Sequence, residues 1–157
     1  MKRKIKIIYL ALLIVAQVLL WRNYPTFRFN IDFLYLIIVY LAIRSSFLTS
    51  ILAATCLGII ADYFSGGVMG VFAFSRTLTT YLLTIASRFV DLRKNFFIFM
   101  MILISLFLSN LMANIFFYFI FNFHITVNLL FIQPLLTALI GTVMVGLNPV
   151  KELLDVY

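Results

Sequence analysis

The chain has 157 residues, 65% of them hydrophobic and 11% charged, with a formal net charge of +7. A soluble domain has roughly 45–50% apolar and about 25% charged residues, and a small one leaves too much surface exposed to hide more. The composition excludes a soluble globular domain and predicts an all-α integral membrane protein in one helical bundle. The basic residues sit at the ends of apolar runs rather than on one face, so nucleic acid is not an expected partner. The single cysteine, Cys56, excludes an intramolecular disulfide and a Cys/His metal cluster.

A helix that crosses a membrane needs about 20 apolar residues. Six runs qualify as candidate spans: 5–21, 31–45, 47–63, 68–88, 96–121 and 127–147. They are continuously apolar rather than alternating, which points to helices and not to a barrel. The first follows Met1-Lys2-Arg3-Lys4 and has no small-residue cleavage site after it, so it reads as an uncleaved anchor. The second is short and opens at Asp32; a re-entrant hairpin there is the alternative topology. Pro134 interrupts the sixth, and Asn148-Pro149 punctuates its end.

With the N-terminus inside, Lys2, Arg3, Lys4, Lys6, Arg44, Arg88, Arg93, Lys94 and Lys151 fall on the cytoplasmic side. Arg22 and Arg28 fall outside, and Arg76 lies within the fourth run. This asymmetry predicts both termini in the cytoplasm. The loop after Asp62 then faces outward.

Small and hydroxylated residues recur at helical spacing. The third run carries Ser50, Ala54, Gly58 and Asp62; the fourth carries Gly70, Ala73, Thr77, Thr80, Thr84 and Ser87. The fifth carries Ser105, Ser109 and Ala113, with Asn110 and Asn114 alongside; the sixth carries Thr137 and Gly141. Such stripes let helices approach closely and bond across the interface. Helix packing is therefore the expected role of Ser50, Ala54, Gly58, Thr77, Thr80, Thr84, Ser105 and Ser109. A polar cavity open to the outside is the other reading.

A carboxylate at a membrane boundary is costly unless it is paired, solvated or used. Asp62 is expected to cap its loop through the amides of Ser65 or Gly66, or to serve as a ligand or partner contact. Arg76 is expected to pair with Asp62 or Asp32, or to snorkel outward. Asp32 is placed to cap the second helix. His124 reads as a surface residue. Candidate partner or ligand positions are Asp62, Gly66, Gly67, Gly70, Arg76, Asn110 and Asn114. The sequence has no His-Glu-x-x-His, Gly-x-Ser-x-Gly, phosphate-loop or paired-cysteine motif. No catalytic residue, metal site or cofactor is predicted.

The stretch Gly58-Ile59-Ile60-Ala61-Asp62-Tyr63-Phe64-Ser65-Gly66-Gly67-Val68-Met69-Gly70, continuing to Tyr81, resembles the bacterial rod shape-determining protein family MreD. The match falls on Gly58, Asp62, Ser65, Gly67, Gly70 and Tyr81. Upstream, Asp32 stands where the family tends to have Pro-Asp; here the proline is absent. The specific signal covers about a third of the chain, while length and six spans extend it to the whole.

The resemblance implies a non-enzymatic scaffold of the inner membrane that works with an MreC-like single-span protein. It also implies the actin-like MreB filament, RodA and a class-B penicillin-binding protein as associates in lateral peptidoglycan synthesis. Membrane lipid is the surrounding partner, and a homodimer is a further option. The family is also similar to the six-helix substrate-binding subunits of energy-coupling-factor vitamin transporters. A small-molecule binding subunit, with Asp62 and Arg76 in its pocket, is therefore the alternative function. For the scaffold, the hydroxyl face of the fourth run or the Asn110/Asn114 face of the fifth is the expected docking surface.

Overall fold

A computed structural model describes residues 15, 17, 31–65, 68–90, 95–122 and 128–146. These form five α-helices in chain order: α1 (Phe33–Arg44), α2 (Phe47–Ser65), α3 (Val71–Ala86), α4 (Asn95–Phe121) and α5 (Gln133–Gly146). A single π-helical turn, Asn128–Ile132, leads into α5. The described residues contain no strand. Val15 and Gln17 are helical, and the rest of the expected first span lies outside the described residues.

Two helical segments, Phe47–Phe64 and Asn95–Ile120, are long and apolar enough to cross a membrane. The helices Phe33–Arg44 and Val71–Ala86 and the segment Leu130–Val143 are apolar but shorter. Six full-length spans are thus not what the described residues give. The hydropathy runs 31–45 and 68–88 include flanks that are not helical. Asp32 caps α1 and Ser45 ends it; Gly70 caps α3 and Ser87 ends it. At about 1.5 Å per residue, α1 covers only about 18 Å.

Several helix boundaries have a visible physical cause. The Asp32 carboxylate accepts from the Tyr35 amide at 2.9 Å, satisfying one orphan donor of α1. Only Ser45 and Ser46 separate α1 from α2. The Ser50 hydroxyl, donating to Leu41 O at 2.9 Å, fastens that corner. Asn122, at φ 53°, closes α4 in the left-handed conformation, and its amide returns to Tyr118 O. Pro134 lacks an N–H, and its ring crowds the carbonyl four residues earlier, at Leu130. The backbone widens there into the π-helical turn instead of continuing as one long helix.

The core collects Leu34, Tyr35 and Ile38 from α1, Ala54 and Ala61 from α2, Leu83 from α3, and Ile102 and Leu106 from α4. The most extensive pairing joins α2 to α3; α4 packs on α3 and on α5. At Gly58 a methyl group would stand 2.9 Å from Ala73 N and 3.1 Å from Phe72 O. Only hydrogen fits there, so glycine sets how closely α2 and α3 approach.

Large apolar side chains also cover the outside. Leu48, Leu52, Ile59 and Tyr63 form an exposed stripe down α2, and Leu135, Leu139 and Val143 form one down α5. Several charged and strongly polar side chains lie inside: Asp32, Asp62, Arg76, Asn110, Asn114 and Gln133 are all buried. That inversion of the soluble-protein pattern suits hydrocarbon surroundings.

Candidate functional site

Two polar centres are built into the end of the bundle where α1, α3 and α5 begin. The first is Asp62, on the last turns of α2 and 1% exposed. Its Oδ2 accepts from Gly70 N at 2.9 Å and Ala73 N at 3.0 Å, and its Oδ1 accepts from Phe72 N at 2.8 Å. The first amides of a helix have no acceptor within it, and they carry partial positive charge. α3 has no side-chain cap of its own, because Gly70, at φ 102°, occupies that position. A carboxylate from the neighbouring helix takes the role instead. The Asp62 carboxylate reaches beyond the expected loop amides of Ser65 or Gly66: it accepts from Gly70, Phe72 and Ala73 at the start of α3. Gly66 and Gly67 lie outside the described residues.

The second centre is an ion pair. Arg76 Nη2 meets Asp32 Oδ2, and both side chains are buried. Of the two carboxylates weighed for Arg76, Asp32 is the partner. The Asp62–Arg76 pair is corrected by geometry, since Asp62 is directed at the α3 amides one turn below. Snorkelling is corrected as well: the guanidinium turns inward and stacks near Phe72, 5.5 Å from the ring centroid. Asp32 has a duty for each oxygen, Oδ1 on the α1 cap and Oδ2 on Arg76. Its amide donates to Thr137 Oγ1 of α5 at 3.1 Å. Gln17 brackets the same helix start, donating to Ile31 O at 3.3 Å and accepting from Phe33 N at 3.0 Å.

Further polar groups converge behind this pair. Tyr35, wholly buried, reaches Thr79 Oγ1 at 3.4 Å. Asn110 Nδ2 donates to Gln133 Oε1 at 3.0 Å, joining α4 to α5, and Asn114 Nδ2 donates to Asn110 O at 2.8 Å. Gln133 and Thr137 are four apart and share a face of α5.

The hydroxyl stripe of α3 behaves differently from the expectation of bonding between helices. Thr77, Thr79, Thr80 and Thr84 each donate to the carbonyl four residues earlier in their own helix. A bond to the preceding turn is always within reach. The Thr55–Thr77 contact, at 2.9 Å, does run from α2 to α3. Ser50, Ala54, Thr80, Thr84, Ser105 and Ser109 are buried, which fits packing. Asn110 and Asn114 are also buried, so these faces look into the bundle; the surfaces turned outward are the apolar stripes.

Asp62, Gly70, Arg76, Asn110 and Asn114 are thus brought to the interior, with Arg76 and Asp62 in separate centres. Residues not foreseen in these centres are Gln17, Tyr35, Thr79 and Gln133. Gln133 carried a signal, an amide beside a proline in an apolar run. Among the described residues no three His, Cys, Asp or Glu side chains gather as a metal site. A cavity of about 330 Å³ between α4 and α5 is lined by apolar side chains such as Leu103, Phe107, Phe131 and Pro134. No protein-family model, curated protein or solved structure matches the chain.

Proposed function

We propose that this chain is a non-enzymatic multi-pass scaffold of the bacterial inner membrane, similar to MreD. In this reading it holds an MreC-like single-span protein and helps organise lateral cell-wall synthesis with RodA, a class-B penicillin-binding protein and MreB. The carrying observation is the part played by the residues of the family-like stretch. Gly58 lets α2 touch α3, Asp62 closes the start of α3, and Gly70 turns the chain between them. Each residue shapes a tight helical hairpin, and the outward faces of its two helices are apolar. A partner helix would lie along such a face, gaining packing contacts rather than a hydrophobic driving force.

The second reading is a small-molecule binding subunit of a membrane transporter. It is favoured by the buried polar groups around Asp32 and Arg76, since binding sites combine apolar walls with a few placed polar groups. One experiment separates the two readings. The tagged protein is purified from its native membrane in mild detergent and read by mass spectrometry for proteins and small molecules together. MreC-like and RodA-like partners support the scaffold. An ATPase with a coupling subunit and a bound metabolite overturns it in favour of the transporter.

A further inference from the structure

Asp32, Arg76 and Thr137 bring three helices together at one end of the bundle, enclosed on all sides. Arg76 is 3% exposed, and only one of its two terminal nitrogens is engaged by Asp32. The other, Nη1, is fully enclosed and finds no acceptor among the described residues. A buried donor left without an acceptor is expensive, more so on a charged group. We propose that Arg76 Nη1 binds an uncharged acceptor oxygen, a carbonyl or hydroxyl, on a guest over which the bundle closes.

The charge balance selects this class. Arg76 and Asp32 already neutralise each other, so an added oxyanion would leave a net buried negative charge, and an added cation would face a guanidinium. A neutral oxygen completes the donor and changes no charge. The Tyr35, Thr79 and Thr137 hydroxyls are bonded within the bundle, and the Phe72 ring supports the guanidinium, so Nη1 is the donor left for a guest. The oxygen has two sources, an ester carbonyl of a lipid or the carbonyl of a free small molecule. The inference depends on the bundle alone and not on any cell-wall partner.

The test compares thermal unfolding midpoints in three nanodisc preparations of the full chain. One holds dioleoylphosphatidylcholine, whose chains are joined through ester carbonyls. One holds the ether-linked analogue, with the same headgroup and no carbonyl. The third adds N-methylacetamide, a free amide carbonyl, to the ether-lipid discs. Binding stabilises the folded state, and one added hydrogen bond shifts the midpoint of a chain this size by roughly 2–4 °C. A higher midpoint in ester lipid assigns the oxygen to lipid; a rise on adding the amide assigns it to a free molecule. Either rise must disappear in the Asp32→Leu/Arg76→Leu double variant, checked for helicity by circular dichroism. Asp32→Asn/Arg76→Gln replaces that variant should it fail to fold. Equal wild-type midpoints in all three preparations overturn the proposal, and so does a rise that persists in the folded double variant.

Discussion

Replacing Asp62 tests the claim that α2 supplies the missing cap of α3. The carboxylate accepts from Gly70, Phe72 and Ala73, and it is buried. A hydrogen bond to a charged group contributes about 1.5–3 kcal/mol net, while losing an ordinary N-cap side chain costs about 0.5–2 kcal/mol. The three bonds share one carboxylate and do not add in full, so Asp62→Ala is expected to cost about 3–5 kcal/mol. Asp62→Asn keeps the shape and one acceptor oxygen. With that oxygen at the Oδ2 position, Gly70 and Ala73 stay bonded and the amide group faces the Phe72 N–H, for a loss of about 1.5–3 kcal/mol. The assay is thermal unfolding of the purified protein in one defined detergent, followed by circular dichroism at matched concentration. The expected order is wild type, then Asn, then Ala. Unfolding midpoints for Asp62→Ala within error of wild type would refute the cross-helix cap, as would an Asn variant weaker than Ala.

Gly58→Ala should cost about 1–3 kcal/mol through overpacking, because the added methyl meets backbone of α3; Gly141→Ala meets only the ends of Leu36 and Ile102 and should cost less. Unfolding midpoints of the two variants check that order, and a more damaging Gly141→Ala would contradict it. Removing one partner of the buried pair, as in Arg76→Leu or Asp32→Leu, should cost about 3–5 kcal/mol, whereas the Leu/Leu double should be far milder. A double-mutant cycle of unfolding midpoints reads the coupling, and strict additivity would deny it. Cys56 is exposed on the α2 stripe. A maleimide needs the thiolate, which does not form in hydrocarbon, so in intact membranes Cys56 should resist maleimides and react only after denaturation in detergent; ready labelling in intact membranes would place that face in water.

Much of the α2–α3 hairpin was legible in the sequence because its determinants are local. Gly58, Asp62 and Gly70 lie within one turn-forming stretch, and helical spacing puts the first two on one face. The burial of Ser50, Ala54, Thr80 and Thr84 followed from the same periodicity. The partner of Arg76 was not decidable that way. Asp62 is nearer in sequence, but Asp32, 44 residues from Arg76, is nearer in space. That choice depends on how α1 sits against α3, which no spacing rule encodes. The Asn110–Gln133 bond has the same origin, with the π-helical turn fixing where Gln133 falls. Helix lengths were overestimated at Asp32 and Gly70, since hydropathy extends across capping residues that hydrogen bonding does not.

The borrowed cap has a bearing on biosynthesis. The opening amides of α3 have their carboxylate only when α2 already stands beside them. In the proposed membrane setting, a lone α3 opens with these N–H groups uncapped, at about 0.5–2 kcal/mol for the missing cap. The two helices are therefore expected to leave the translocon as a hairpin rather than one after the other. A force-sensing arrest sequence placed behind α3 would register that event as one pulling peak, and Asp62→Ala would divide it in two.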